Sequence, residues 1–270
     1  MLGKVLKYDM RATGRVLLPV YAALFGAALL FGLSLGALSD SQSLFQILTG
    51  VIYAAVIVAV VVITIVMIIS RFYHSMMGEE GYLTHVLPVG TGTLIAGKTI
   101  SASLWSLFGT IAGLLSAIVL VAGALITAYA LGNLDFDLDL SLMIQDFFRQ
   151  YGGHAVIILI EGILVILAGS AAAIGRVYTA ISVGHLWSNH RIAGAILVYI
   201  GIGIVLETVG MSALLGASWF PEDFFEKLLG TGDIQNVELV MLVSIIASLL
   251  LTAIYSVISW LVLKKHLNLQ

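Results

Sequence analysis

Three short patterns in this chain have residue types and spacings that could do chemistry. Gly92-Thr93-Leu94-Ile95-Ala96-Gly97-Lys98-Thr99 fits the phosphate-loop pattern GxxxxGK[ST]. Such a loop lies between a strand and a helix, cradles phosphate oxygens with backbone N–H groups, and needs an acidic partner for Mg²⁺. The four variable positions here are Thr, Leu, Ile and Ala, which suit a helix running straight on, so we read the match as coincidence. Asp135-x-Asp137-x-Asp139 opens like a calcium loop, which needs Gly at its sixth position and Glu at its twelfth. Leu140 and Asp146 stand there instead, and a solvated acidic loop is the better reading. The six histidines lack the HExxH spacing of a zinc protease. Cysteine is absent, which removes thiol nucleophiles, disulfides and zinc–thiolate sites. We therefore expect no catalytic, metal-binding or cofactor-binding residues in this chain.

Two pairs of carboxylates remain. Glu79-Glu80, taken with His185-x-x-x-Asn189, partly resembles the intramembrane proteases of the prenyl-protein-processing family. That family has an arginine four residues after its second glutamate, where this chain has Thr84, and a phenylalanine-bearing histidine motif that is missing here. Glu161 and Glu207 lie inside long apolar runs. An acidic side chain there costs roughly 2–3 kcal/mol or more, so such residues usually face a pathway or a partner. Counted from the nearer ends of their runs, the two fall at similar depth. Lining a substrate pathway and bonding to a neighbouring helix are the two readings.

The elements that must hold these residues are membrane spans. Thr99 to Leu134 is 36 residues without a charge, and residues 16–39, 41–70 and 239–263 are further charge-free runs. Residues 192–221 are broken only by Glu207. About 20 apolar residues cross a bilayer core. With 60% hydrophobic residues, 10% charged and a mean hydropathy of +1.11, most of the chain belongs in lipid. The fold expected is all-α and polytopic: one transmembrane domain over residues 1–270. Its six spans fall at about 16–38, 45–69, 102–131, 154–176, 192–216 and 239–263. Residues 1–15 place Leu2, Val5, Leu6 and Met10 at helical spacing beside Lys4, Lys7 and Arg11, as an N-terminal amphipathic helix at the interface would. Outer segments carry apolar faces at Leu142, Ile144, Phe147, Phe148 and Tyr151 and at Phe224, Phe225, Leu228 and Leu229, which we read as interfacial anchors.

Charge orients the spans. The N-terminal tail, the 70–101 loop, the 176–191 turn and the C-terminal tail hold Lys4, Lys7, Arg11, Arg15, Arg71, Lys98, Arg176, Arg191, Lys264 and Lys265. The other side holds only Arg149 and Lys227. The positive-inside rule puts both termini in the cytoplasm. The localisation expected is a plasma membrane, with a bacterial origin.

The 71–100 segment carries a family resemblance. Arg71, Gly78, Glu79, Gly81-Tyr82-Leu83, Leu87-Pro88-Val89, Leu94 and Gly97-Lys98 resemble the cytoplasmic coupling helix of type-2 ATP-binding-cassette (ABC) exporter permeases, between their second and third spans. Six spans, inside termini and Gly184-His185-Leu186 before a basic turn are similar to that family too. The resemblance implies a transport subunit that is not itself an enzyme. ATP and Mg²⁺ would be bound and hydrolysed on a separate ATPase, present in two copies, and a second permease chain, read as identical, would complete the assembly. It implies coupling to the ATPase through Glu79, Glu80, Tyr82, Leu83, Leu87 and Pro88; Glu161 and Glu207 stand beside them as possible pathway residues on the cost of an acid in lipid alone. Spans with almost no fixed charge suit an amphipathic or lipid-like cargo, and the family points to a toxic or antimicrobial peptide. Partners would be membrane lipid and that peptide, with no nucleic acid. A secondary transporter or channel is the alternative; it would normally show inverted repeats or broken helices.

Overall fold

The computed structural model describes residues 2–37, 44–77, 90–132, 142, 145–146, 148–149, 152, 154–187, 190–217 and 234–266. Six long helices account for nearly all of them, and no strand occurs among the described residues. They are α1 Leu2–Ala37, α2 Leu44–Met76, α3 Thr91–Ala130, α4 His154–Gly184, α5 Arg191–Ala217 and α6 Ile234–His266. All six are long and apolar enough to span a membrane, and this is a multi-pass membrane protein. Most of their large apolar side chains point outward. Such exposure would be ruinous in water and is ordinary in lipid, where Leu gains little by burial.

Every expected span is a helix, but the helices outrun the apolar windows. α1 runs unbroken from Leu2 through the stretch read as an N-terminal amphipathic helix and through Pro19. α2 runs seven residues past its expected end at 69, and α3 starts eleven before 102. α4 likewise continues from 176 to Gly184. These extensions all occur at one end of the bundle. A helix needs only its own backbone bonds and a packed face to continue, so Lys7, Asp9, Arg11 and Arg71 do not stop it. The expected coupling segment 71–100 is accordingly helical at both of its roots, 71–76 in α2 and 91–100 in α3. Its middle, residues 78–89, lies outside the described residues.

Small and hydroxylated residues set the packing. α1 and α3 run side by side in the same direction: Gly14 meets the Trp105 ring, Gly32 the backbone of Leu120, and Gly36 Ala124 and Thr127. Gly32 and Gly36 form a GxxxG step that lets the two backbones touch, as close packing in lipid requires. α2 returns antiparallel on α1, tied by Ser34 Oγ to Thr49 Oγ1 at 2.8 Å. In the second half α6 runs parallel to α4. His154 pairs with Glu238 at 2.7 Å, Gly175 meets Tyr255, and Thr179 Oγ1 donates to the Tyr255 carbonyl and shares a bond with Ser259 Oγ. α5 returns antiparallel on α4, with Gly184 against Ala195. Each half thus has its third helix along its first and its second folded back on the first. The two halves meet mainly along α3 and α4. Leu263 of α6 packs with Met76 and Leu94, which places the last turn of α6 at the same end as the start of α1.

Candidate functional site

Three charged side chains from three helices converge at that shared end. Asp9 lies seven residues into α1, Arg71 five residues before the end of α2, and Lys98 seven residues into α3. Arg71 Nε donates to Asp9 Oδ1 at 3.2 Å, and Lys98 Nζ lies 3.6 Å from the same oxygen. The Asp9 and Lys98 side chains keep 13% and 9% of their exposure. Charges this deep need one another. Removing one partner of such a group leaves an uncompensated buried charge. Around them a cavity of about 10 Å³ is lined by Asp9, Thr13, Arg71, Lys98, Ser101, Trp105 and Tyr178, with Ile68, Phe72 and Ala102 completing the wall. Phe72 stacks on Tyr178 with ring centroids 3.8 Å apart, which joins α4 to the cluster.

The phosphate-loop match sits inside this arrangement and cannot work as one. Thr91 onward is helix. Gly97, Lys98 and Thr99 are buried in it, and Thr99 Oγ1 donates back to the Ile95 carbonyl at 3.0 Å. The backbone N–H groups that would hold phosphate are spent on helical bonds, and the lysine is spent on Asp9.

The structure separates the two buried carboxylates. Glu161 is half-buried in α4, and its Oε2 is buried without a hydrogen-bond partner among the described residues. Glu207 is exposed on α5. Taking Gly184 against Ala195 as the register, Glu207, twelve residues past Ala195, is level with Ala172. That is eleven residues from Glu161, or about 16 Å at 1.5 Å per residue. The expectation of similar depth does not hold, because α4 extends further than α5 at that end.

A charge that was assigned to a turn lies in a span. Arg176 is within α4, eight residues or about 12 Å before its end. Its Nη2 donates to the Tyr199 carbonyl at 2.8 Å, its Cζ sits 4.1 Å from the centre of the Tyr199 ring, and it lies across Gly203 of α5. No carboxylate pairs with it among the described residues. His185, just past α4, has its Nδ1 buried without a partner. Burial, and then the neighbouring Arg191 charge, push its pKa below the ordinary 6.5.

The expected coupling residues Glu79, Glu80, Tyr82, Leu83, Leu87 and Pro88 lie outside the described residues, as does the Asp135–Asp139 run. No group of metal-ligating side chains occurs among the described residues. The Asp9–Arg71–Lys98 cluster was not foreseen, since each charge was used only to orient the spans. One signal was present: Asp9 is the single acid among the basic residues of the N-terminal tail. Comparison with protein-family models, with curated proteins and with solved structures finds no match to this chain.

Proposed function

We propose that this chain is the membrane-spanning subunit of an ATP-driven exporter, taking its energy from a separate ATPase and moving an amphipathic peptide or lipid-like cargo out of the cell. The observation that carries the reading is where the 78–89 segment is rooted. It leaves α2 a few residues after Arg71 and joins α3 a few residues before Lys98, and both cations hold the one Asp9 carboxylate. A push on that segment is therefore delivered at once to α1, α2 and α3, and through Tyr178 to α4. Nothing in the Gly92–Thr99 stretch is free to bind nucleotide, which fits a transport subunit whose ATP site is on a partner. The segment's own residues support docking: Tyr82, Leu83 and Leu87 offer apolar surface, and burying two or three such side chains is worth several kcal/mol. Glu79 and Glu80 orient it against basic groups.

The test is Leu83→Asp, which touches no span. It should leave membrane insertion intact and uncouple ATP hydrolysis from transport. Unchanged transport in that variant would remove the coupling assignment.

A secondary transporter remains the second reading, favoured by the matching packing of the two three-helix halves. Consecutive spans alternate in direction, so the halves are oppositely oriented, an arrangement common in gradient-driven carriers. Transport by the purified chain alone in vesicles, driven by an ion gradient without ATPase, would select it.

A further inference from the structure

We propose that the cavity among α1, α2, α3 and α4 is a binding site for one monatomic anion of chloride size. This goes beyond the transport reading and does not depend on it. Among the polar groups in its walls, donors outnumber acceptors. Arg71 and Lys98 bring two positive charges, and the one carboxylate in the wall, Asp9, accepts from Arg71 at 3.2 Å and faces Lys98 at 3.6 Å. Ser101 is fully buried and Trp105 is 6% exposed. The Ser101 hydroxyl and the Trp105 Nε1–H have no hydrogen-bond partner among the described residues, and both residues line the cavity. An indole N–H can only donate. A buried donor without a partner is costly, and two beside one cavity call for a guest that accepts. About 10 Å³ is the space of one guest near the size of a water, and among anions a monatomic halide comes nearest to that size, whereas phosphate and sulfate are several times larger. Of the two small guests, an anion accepts from every donor and gains from the cations. A water would have to turn its hydrogens to the second Asp9 oxygen or to a hydroxyl, away from the cations, and would gain less from Arg71 and Lys98 than a full negative charge does. The anion would sit on the Ser101–Trp105 side, away from the Asp9 carboxylate.

The experiment uses the full-length chain purified in detergent, in sodium chloride or sodium gluconate at equal ionic strength. Chloride at tenfold its Kd should raise the Tm by about 3–6 °C. Bromide should quench a saturable part of the tryptophan fluorescence, because a heavy halide would touch the Trp105 indole. Trp105→Phe keeps an aromatic ring and removes the donor, and it should abolish the chloride effect on Tm; the bromide quench is read in Ser101→Ala, which keeps the Trp105 indole. Ser101→Ala should weaken both effects and carries the test if the first variant fails to fold. Equal Tm in the two salts means that only water fills the cavity, and overturns the proposal. So does a chloride effect that persists unchanged in both variants, since the anion would then bind elsewhere.

Discussion

Asp9 ties α1 to α2 and α3 through one carboxylate. It faces two cations from neighbouring helices, Arg71 and Lys98. Asp9→Asn keeps the shape and removes the charge, leaving Arg71 and Lys98 to repel each other in a half-dry site. Breaking a buried pair from one side costs about 3 kcal/mol, and Arg71 at 31% exposure recovers some of this in solvent. We expect a Tm several degrees lower for Asp9→Asn in detergent, and a smaller loss for Arg71→Gln than for Lys98→Gln. An unchanged Tm for Asp9→Asn would mean that the cluster is a surface ornament. His185 gives a prediction in pH. Its native pKa is depressed by burial, so the unfolded chain takes up the proton first. Its contribution is fully present above the ordinary value of 6.5 and is lost as pH falls below it. Thermal stability should therefore decline on the acid side of about 6.5, and His185→Gln should flatten that part of the curve. None of this was visible in sequence, where a lone acid among basic residues has many possible partners. Arg176 misled for a related reason. Its charge argued for a turn, yet a cation held by the Tyr199 ring and carbonyl is tolerated about two turns inside a helix.

Helices are where the sequence spoke most clearly. Six apolar runs became six helices because no other structure satisfies backbone groups in lipid over that length. Their ends were harder to place. Hydropathy marks where lipid contact stops, and it is silent on whether a helix goes on past that point. The polar start of α1 and the extensions of α2, α3 and α4 continue because they pack on one another, which is a tertiary effect. The GxxxG step of Gly32 and Gly36 was equally silent until α3 appeared opposite. A Cβ at Gly32 would strike the Leu120 backbone, which cannot swing aside as a side chain would. Gly32→Val should force α1 and α3 apart at a cost of about 1–3 kcal/mol, read as a lowered Tm, while Gly26→Val, with nothing near it, should be tolerated. The charge asymmetry gives a second test. Cysteines replacing Ser141 or Asp233 should react with an impermeant thiol reagent in intact cells, and cysteines replacing Thr84 or Asn189 only after permeabilisation. Labelling at 84 from outside would overturn the orientation.

At the scale of the whole molecule, the first of two oppositely directed three-helix units holds an ionic knot at the end where α1 begins, and the second packs Tyr178 beside it. The knot lies at the roots of the 78–89 segment, so the account makes that segment the input of an ATP-driven machine and the helices its output. The most direct measurement is ATP hydrolysis by complexes purified through this chain from its native membranes. The account predicts ATPase activity with the wild-type chain that is absent when the chain is purified alone, and a loss of its coupling to transport with Leu83→Asp. Nucleotide binding by the isolated chain that disappears in Lys98→Ala, or wild-type complexes that transport cargo with no ATPase present, would contradict it.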